Sequence, residues 1–250
     1  MNYGSPLVLC ESADFDGTND FMTTGADLTG NADAKTGLCS CWVRLDGGDG
    51  AGLPILANAT TVGGSTTRFF FLRAASNVFG VIASNSSNTT ILSMGSTATY
   101  TADGSTWYNV LISWDLASTT SRFIYVNDVD VTPVSPTVYT NDTIDYTVAD
   151  WSAGGIPSGG NKMNGCLAEL YFTNTYLDLS IVANRRRFIS GSGKPVYLGA
   201  TGQLPTGTQP LVYQRIADGG AASTFATNIG SGGNFSITGT LDLGSTTPSG

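Results

Sequence analysis

Side chains that could carry out covalent chemistry are scarce in this sequence, and those present argue against an enzyme. The chain contains no histidine, which excludes a Ser-His-Asp or Cys-His relay and any histidine-ligated metal centre. Glycoside hydrolysis uses a pair of carboxylates, yet neither of the two glutamates, Glu11 and Glu169, lies in a carboxylate cluster. We therefore predict no catalytic residues, with a hydrolase that uses aspartates alone as the enzymatic alternative.

The four cysteines leave three alternatives open. These residues are Cys10, Cys39, Cys41 and Cys166. They are few for a disulfide scaffold, and their spacing does not match a zinc site. The favoured interpretation is that they are small buried apolar side chains, because free cysteine is among the most buried residue types. A disulfide between Cys10 and either Cys39 or Cys41 is the second, since a strand would place Cys39 and Cys41 on one face, where either could meet a neighbouring strand. A metal site is the third.

The elements that must position these residues are predicted to be β-strands. In residues 107–127 two alternating runs flank a hydroxyl-rich link, which predicts an antiparallel hairpin. Tyr108, Val110 and Ile112 would face one side of the first strand and Leu111 the other. The same patterns predict strands at 7–10, 39–45, 54–58, 68–73, 79–83, 90–94, 107–114, 122–126, 146–149 and 165–172, with short pieces at 15 and 21–22.

One helical turn is expected within residues 180–189. The sequence SIVANRRRFI offers Ser180 as an N-cap and apolar positions three or four residues apart. No longer amphipathic helix is predicted, and many short strands without such helices indicate a sandwich or barrel.

The composition is that of one large, turn-rich β domain. The chain has 250 residues, a length that all-β domains commonly reach. Charged residues make up 12%, about half the usual share of roughly 25%. Polarity comes instead from serine, threonine, asparagine and 32 glycines. Such hydroxylated surfaces suit an assembled or extracellular object.

The charge pattern bears on the partners. A net charge of −8 argues against nucleic acid, which normally requires a basic patch. The one dense basic run, residues 185–187, is interpreted as a solvated face or as an anchor to a neighbouring acidic surface. No apolar stretch approaches the roughly 20 residues of a membrane helix, and the N-terminus lacks the features of a signal peptide. We expect synthesis in a cytoplasm and no membrane partner.

After Gly191 the chain becomes rich in glycine, threonine and proline, while large apolar residues still return at intervals. This return favours an extended segment over a disordered tail, with residues 244–250 loose. We therefore divide the chain into a sandwich over residues 1–190 and an extended segment over residues 191–250. The segment is expected to pack on the sandwich or on a neighbouring subunit.

Several motifs, taken in order, carry a family resemblance. They are FDGTNDF at 15–21, CWVR at 41–44, WYNV at 107–110 with Trp114 and Asp115, YVN at 125–127 and GCLAELYF at 165–172. Together they resemble a concanavalin A-like lectin/glucanase domain of the laminin-G-like type over residues 5–190. The resemblance implies an all-β fold, a two-sheet antiparallel jelly-roll sandwich. Residues 187–235 resemble the C-terminal extension of laminin-G-like proteins encoded by tailed bacteriophages, which implies a virion structural protein.

The resemblance also implies a glycan site and a calcium site. Sugars in this family stack on an aromatic ring, with polar side chains bonding their hydroxyls. Asp150, Trp151 and Ser152, in a predicted loop, form the candidate platform, although Trp151 is more readily interpreted as a plug of the core edge.

Laminin-G-like folds often hold calcium through loop carboxylates. Asp46 with Asp49, or Asp128 with Asp130, supply the hard oxygen ligands that calcium prefers. Neither pair completes a loop signature, and Asp-Gly pairs mainly form turns. The prediction is therefore no cofactor, with calcium as the alternative.

The sequence predicts a non-enzymatic bacteriophage virion protein, such as a capsid decoration, collar, fibre or tail component. It would be located in the virion and act by packing against other virion proteins, in many copies or as a homo-oligomer, because virion proteins occupy repeated sites. The alternative is a carbohydrate-binding module that recognises host-surface glycans.

Overall fold

Two antiparallel sheets stack face to face in the computed structural model, which describes residues 9–58, 69–148 and 150–250. Strands are numbered here in chain order. In spatial order the first sheet contains β11 (Val129–Asp130), β10 (Arg122–Val126), β9 (Trp107–Asp115), β4 (Thr36–Leu45), β14 (Asn164–Thr173), β2 (Ala13–Asp16) and β18 (Asp242–Leu243), with β15 (Val212–Gln214) also paired to β14.

The second sheet contains, in spatial order, β12 (Val138–Tyr139), β8 (Thr90–Gly95), β7 (Phe79–Ser84), β6 (Phe69–Arg73), β5 (Leu53–Ala57), β13 (Ser152–Ala153), β3 (Phe21–Thr23) and β17 (Ser236–Thr238). A small ribbon joins β1 (Cys10–Glu11) to β16 (Ile216–Ala217). The helical pieces are α1 (Val182–Arg185) and a 3-10 turn at Ala222–Ala226. The predicted all-β, two-sheet antiparallel sandwich is confirmed.

Alternation along β9 sorts its side chains between two apolar layers. Val110 and Ile112 face the core between the sheets, whereas Leu111 joins a second apolar cluster on the outer face of the first sheet. The predicted hairpin forms, with Ile112 of β9 opposite Ile124 of β10. This agrees with the period of two that strand geometry imposes.

Aromatic rings fill the centre of the core. Phe69 lies 5.9 Å from Trp114, 5.6 Å from Tyr146 and 5.2 Å from Phe172, measured between ring centroids. Burial of such rings dominates the energetics of a core. Tyr146 reaches this cluster from a loop, so the predicted strand at 146–149 is wrong for residues 146–148, and residue 149 lies outside the described residues.

The predicted helical turn is present but shorter, and its cap is different. Ile181 holds the N-cap position without a side-chain cap bond. Ser180 instead donates its hydroxyl to Asp178 Oδ1 at 2.6 Å, so the predicted Ser180 N-cap is wrong. No helix in the described part of the chain is both long and apolar enough to cross a membrane.

Residues beyond 191 add strands to both sheets. β15 pairs with β14 and β18 with β2 in the first sheet, and β17 pairs with β3 in the second. Whether this segment also meets a neighbouring subunit stays a prediction.

Residues 244–250, here called the C-terminal strap, were expected to be loose, and this expectation is wrong. Gly244 N donates to Ser12 O at 2.9 Å, and Ser12 Oγ donates to Thr246 O at 3.0 Å. Lys194 Nζ donates to Gly250 O at 2.8 Å. One backbone and two side-chain hydrogen bonds thus tie this segment to the rest of the chain, although its position at the end of the sequence favours a loose segment.

Candidate functional site

A groove beside the β9–β10 hairpin is the candidate site. The hairpin groove, as we call it, has a volume of about 270 Å³. Two loops position its lining: residues 116–121, which link β9 to β10, and residues 131–137, which link β11 to β12. The residues that bear on binding chemistry are Thr119, Thr120, Arg122, Phe123, Asp130 and Val134.

Arg122 forms a fixed wall of the groove. Its guanidinium stacks on the ring of Tyr139 with 3.9 Å between Cζ and the ring centroid. Its Nη1 donates to Ser118 O at 2.8 Å, and Nη2 donates to Thr119 O. Two backbone acceptors and a ring face therefore hold the planar group, which stiffens the loop that presents Thr119 and Thr120.

Asp130 supplies the groove with a charged acceptor. Its Oδ1 accepts from Thr132 N at 3.0 Å and its Oδ2 from the Tyr125 hydroxyl at 3.2 Å. Partial burial raises the pKa of this carboxyl, but hydrogen bonds from Thr132 and Tyr125 and the charge of Arg185 outweigh it, so the pKa lies below its usual value. Asp130 is therefore ionised at neutral pH and remains exposed to a ligand.

The remaining lining combines hydroxyls with apolar surface. Thr119 and Thr120 are exposed, Phe123 is half-buried, and Val134 is fully exposed at the rim. An aromatic ring, an ionised carboxylate and hydroxyl groups around one concave surface suit a hydroxylated ligand, because such a ligand presents both C–H faces and hydrogen-bond donors. Of the residues predicted from the sequence, Asp130 alone lines this groove.

The predicted glycan platform is wrong for Trp151. Its side chain is 0% exposed and packs in the aromatic core, 5.6 Å from Phe69. Its indole Nε1 donates to Asp27 Oδ1 at 3.2 Å. Trp151 therefore offers no ring face to a sugar, and the core-plug interpretation agrees with the structure.

The two neighbours of Trp151 have structural contacts as well. Ser152 is fully buried in β13, and its hydroxyl donates to Gly155 O at 2.7 Å. Asp150 has a positive φ of 78° and accepts from Gly25 N at 3.0 Å through Oδ1. Asp150, Trp151 and Ser152 thus do not form the predicted site.

Arginine side chains form ion pairs with three of the four carboxylates that were predicted as calcium ligands. Asp46 receives Nε and Nη2 of Arg44 at 2.8 and 2.7 Å. Asp49 receives Arg73 Nη1 at 2.6 Å and Ala102 N at 3.0 Å. These carboxylates are therefore ion-pair partners of guanidinium groups rather than parts of an assembled calcium loop.

Asp128 is shared by the basic run. Its Oδ1 accepts from Arg185 Nε at 2.6 Å and its Oδ2 from Arg186 Nη2 at 2.5 Å. Arg185 is itself buried, with its Cζ 4.2 Å from the ring centroid of Tyr125, and Arg187 Nη1 donates to Pro205 O. The basic run therefore anchors α1 to the β10–β11 turn of the same chain and is not a solvated cationic face.

All four cysteines are free and buried, so the disulfide alternative is wrong. Cys10 lies in an apolar cluster with Trp42, whereas Cys39 and Cys41 lie in the main core. Burial, together with the nearby Glu169 charge, raises the pKa of the Cys10 thiol to about 12. These thiols are therefore protonated at neutral pH.

Among the described residues, the fold brings together three side chains of the kinds that ligate metals, and the sequence does not suggest this grouping. Ligand atoms of Asp14, Asp46 and Cys166 lie within 4.8 Å of one another. The signal is strand register, since Cys166 of β14 lies opposite Asp14 of β2 and opposite Arg44 of β4. Both Asp46 oxygens already accept from Arg44, and burial raises the pKa of the Cys166 thiol to about 12. The guanidinium of Arg44 thus already compensates the charge of Asp46 in this group.

The comparisons with known proteins identify the fold. No protein-family model and no curated protein matches the sequence. The chain is similar to the structure of a candidate carbohydrate-binding protein from Bacteroides ovatus ATCC 8483, with 12% identity and a TM-score of 0.56 over 95% of this chain and 60% of that one. It is also similar to the heptameric SAP-like pentraxin from Limulus polyphemus, with 12% identity and a TM-score of 0.53 over 94% of each chain.

The chain thus spans 60% of the length of the Bacteroides ovatus protein and nearly all of the pentraxin. At 12% identity these likenesses establish the fold, a two-sheet jelly roll, and not the activity. This fold is consistent with the concanavalin A-like domain that the sequence resembles.

Proposed function

We propose that this protein is a non-enzymatic binding protein that holds a glycan in the hairpin groove. One observation carries the proposal: Phe123, the ionised Asp130 and the hydroxyls of Thr119 and Thr120 converge on one concave surface. The likeness to a candidate carbohydrate-binding protein supports it at the level of fold.

The groove lacks the features of a hydrolase within the described residues. Asp130 is its one acidic lining residue, whereas glycoside hydrolysis uses two carboxylates. Glu169, the more buried of the two glutamates, receives the Tyr213 hydroxyl at 2.7 Å and lies 3.1 Å from Arg215 Nε. These contacts support a structural role for Glu169 and a binding role for the groove.

The bacteriophage virion role stays a prediction of the sequence resemblance. It includes the virion location, the neighbouring virion proteins and the multicopy state. The comparisons support the glycan-binding alternative better, and the two roles are compatible in one particle.

A glycan array, followed by titration of the strongest glycan, tests the proposal. A stacking contact is worth about 0.5–1.5 kcal/mol, so Phe123→Ala is expected to weaken binding by about two- to twelvefold. Asp130→Asn keeps the shape of the side chain and removes the charged acceptor, so binding should also weaken.

Two matched variants control for general effects. Phe21→Ala removes a half-buried ring of β3 in the second sheet, which lies 5.7 Å from Lys162 Nζ. Asp218→Asn neutralises an exposed carboxylate in the turn after β16. Both should bind like the wild type. Absence of any bound glycan for the wild type, or equal losses in the groove and control variants, would refute the proposal.

A further inference from the structure

A row of polar side chains crosses the outer face of the first sheet. Trp107 of β9 lies opposite Arg44 of β4, Arg44 lies opposite Cys166 of β14, and Cys166 lies opposite Asp14 of β2. Directly opposed residues project to the same face of a sheet. Register therefore places the Trp107 indole beside the Arg44 guanidinium, whose Cζ lies 5.9 Å from the ring centroid.

Hydroxyl groups of the C-terminal strap occupy the hydrogen-bond donors of this pair. Arg44 Nη1 donates to Ser245 Oγ at 3.1 Å and to Thr246 Oγ1 at 2.7 Å. The indole Nε1 of Trp107 donates to the same Thr246 oxygen at 3.1 Å. One guanidinium nitrogen and one indole N–H therefore donate hydrogen bonds to the adjacent hydroxyls of Ser245 and Thr246.

The charge at this position favours a neutral ligand. Asp46 accepts from the other two donor nitrogens of Arg44 and neutralises its charge. The Arg44 side chain is only 5% exposed, and its Nε and Nη2 are held by Asp46 independently of the strap. Trp107 is half-buried and contributes an indole ring beside the donors. Donors for adjacent hydroxyls together with an aromatic face match the chemistry of a pyranose ring.

The hydroxyl-bearing part of the strap is exposed and is held by side-chain donors: Ser12 Oγ donates to Thr246 O at 3.0 Å, in addition to the bonds from Arg44 and Trp107. Ser245 and Thr246 are exposed, whereas Pro248 is buried and Ser249 Oγ accepts from Cys10 N at 3.2 Å. The entropy lost when one residue is ordered is comparable to the net gain from one hydrogen bond. A ligand that supplies its own hydroxyls to Arg44 and Trp107 would compensate for the three bonds that Ser245 and Thr246 make to this pair, while Pro248 and Ser249 keep the end of the strap in place.

We propose that Arg44 and Trp107 form a second site for a neutral sugar, which Ser245 and Thr246 occupy in the absence of ligand. The strap hydroxyls stand in for two adjacent sugar hydroxyls and compete with the ligand. This site is separate from the hairpin groove and does not require the groove to bind a glycan.

The test follows the indole N–H signals of the full chain by NMR during titration with maltotriose and, separately, laminaritriose. The sequence contains four tryptophans, and the Trp107→Phe variant assigns the signal of Trp107. The double variant Ser245→Ala/Thr246→Val removes the internal competitor and keeps both donors. At least one sugar should shift the Trp107 signal, and its affinity should rise about fivefold or more in the double variant.

A matched control removes two hydroxyls elsewhere. Ser86→Ala/Ser87→Ala alters an exposed turn between β7 and β8 and should leave the affinity unchanged. Phe123→Ala should not alter the Trp107 titration, which separates this site from the groove. The proposal is overturned if neither sugar shifts the Trp107 signal in the folded double variant, or if the wild type and the double variant bind with equal affinity.

Discussion

Gln214 is a polar side chain buried in the core, and its replacement has a predictable effect on stability. It lies in β15 between the sheets, since it alternates with Tyr213 and shares the face of the core residue Val212. Its side chain is 0% exposed, and neither Oε1 nor Nε2 has a hydrogen-bond partner among the described residues. An amide buried without partners costs about 1–3 kcal/mol in protein mutational data.

Gln214→Met replaces this amide by an unbranched apolar side chain of similar length. The substitution removes the desolvation penalty without leaving a large cavity, so the free energy of unfolding should rise by about 1–3 kcal/mol. In a chain of this size each kcal/mol raises Tm by about 2–4 °C. Urea unfolding followed by tryptophan fluorescence measures the change, because Trp114 and Trp151 are fully buried in the core.

Gln209→Met is the matched control. Gln209 is exposed and donates through Nε2 to Ile229 O at 2.8 Å, so its replacement should lower the free energy of unfolding by no more than about 1 kcal/mol. If Gln214→Met lowers the free energy of unfolding by more than Gln209→Met does, the assignment of Gln214 as an unpaired core amide is refuted.

Two further predictions concern titrating groups. Partial burial raises the pKa of Asp128, but hydrogen bonds and charges of Arg185 and Arg186 outweigh it, so its folded-state pKa lies below the unfolded value of 3.8. The stability that Asp128 contributes should be present above about pH 4 and lost as the pH falls through the folded-state pKa. The urea midpoint, measured from pH 7 to pH 2, should fall at acid pH, and it should fall less in Asp128→Asn. Equal falls of the urea midpoint in the wild type and in Asp128→Asn would contradict this. For the cysteines, a thiol-specific disulfide reagent at pH 8 should label none in the native protein and all four in denaturant; two thiols that stay unlabelled after unfolding would indicate a disulfide.

The strands and the two-sheet class could be predicted from the sequence because alternation is a local signal. Spacing alone predicts Val110 and Ile112 on one face and Leu111 on the other, and the structure confirms this. A strand that is short or depends on a distant partner gives no such signal. The three-residue β15 and β17 are recognisable only beside β14 and β3.

The sites were poorly predicted because their partners are distant in sequence. Asp128 meets Arg185 and Arg186 across 57 and 58 positions, and no local pattern distinguishes such a carboxylate from a calcium ligand. The Gly-rich neighbours of Trp151 indicate a turn and predict an aromatic residue in a loop, yet the fold packs its ring against Phe69.

The sequence by itself determined a turn-rich, weakly charged β-sandwich without the side chains of a histidine relay, because composition and a period of two need no knowledge of neighbours. Only the tertiary structure decided which polar residues meet. Strand register set Trp107 beside Arg44 under Thr246, and loop packing gathered Phe123 and Asp130 in one groove. The physical reason is that hydrogen bonds and ion pairs act over a few ångströms in space, whatever the separation along the chain.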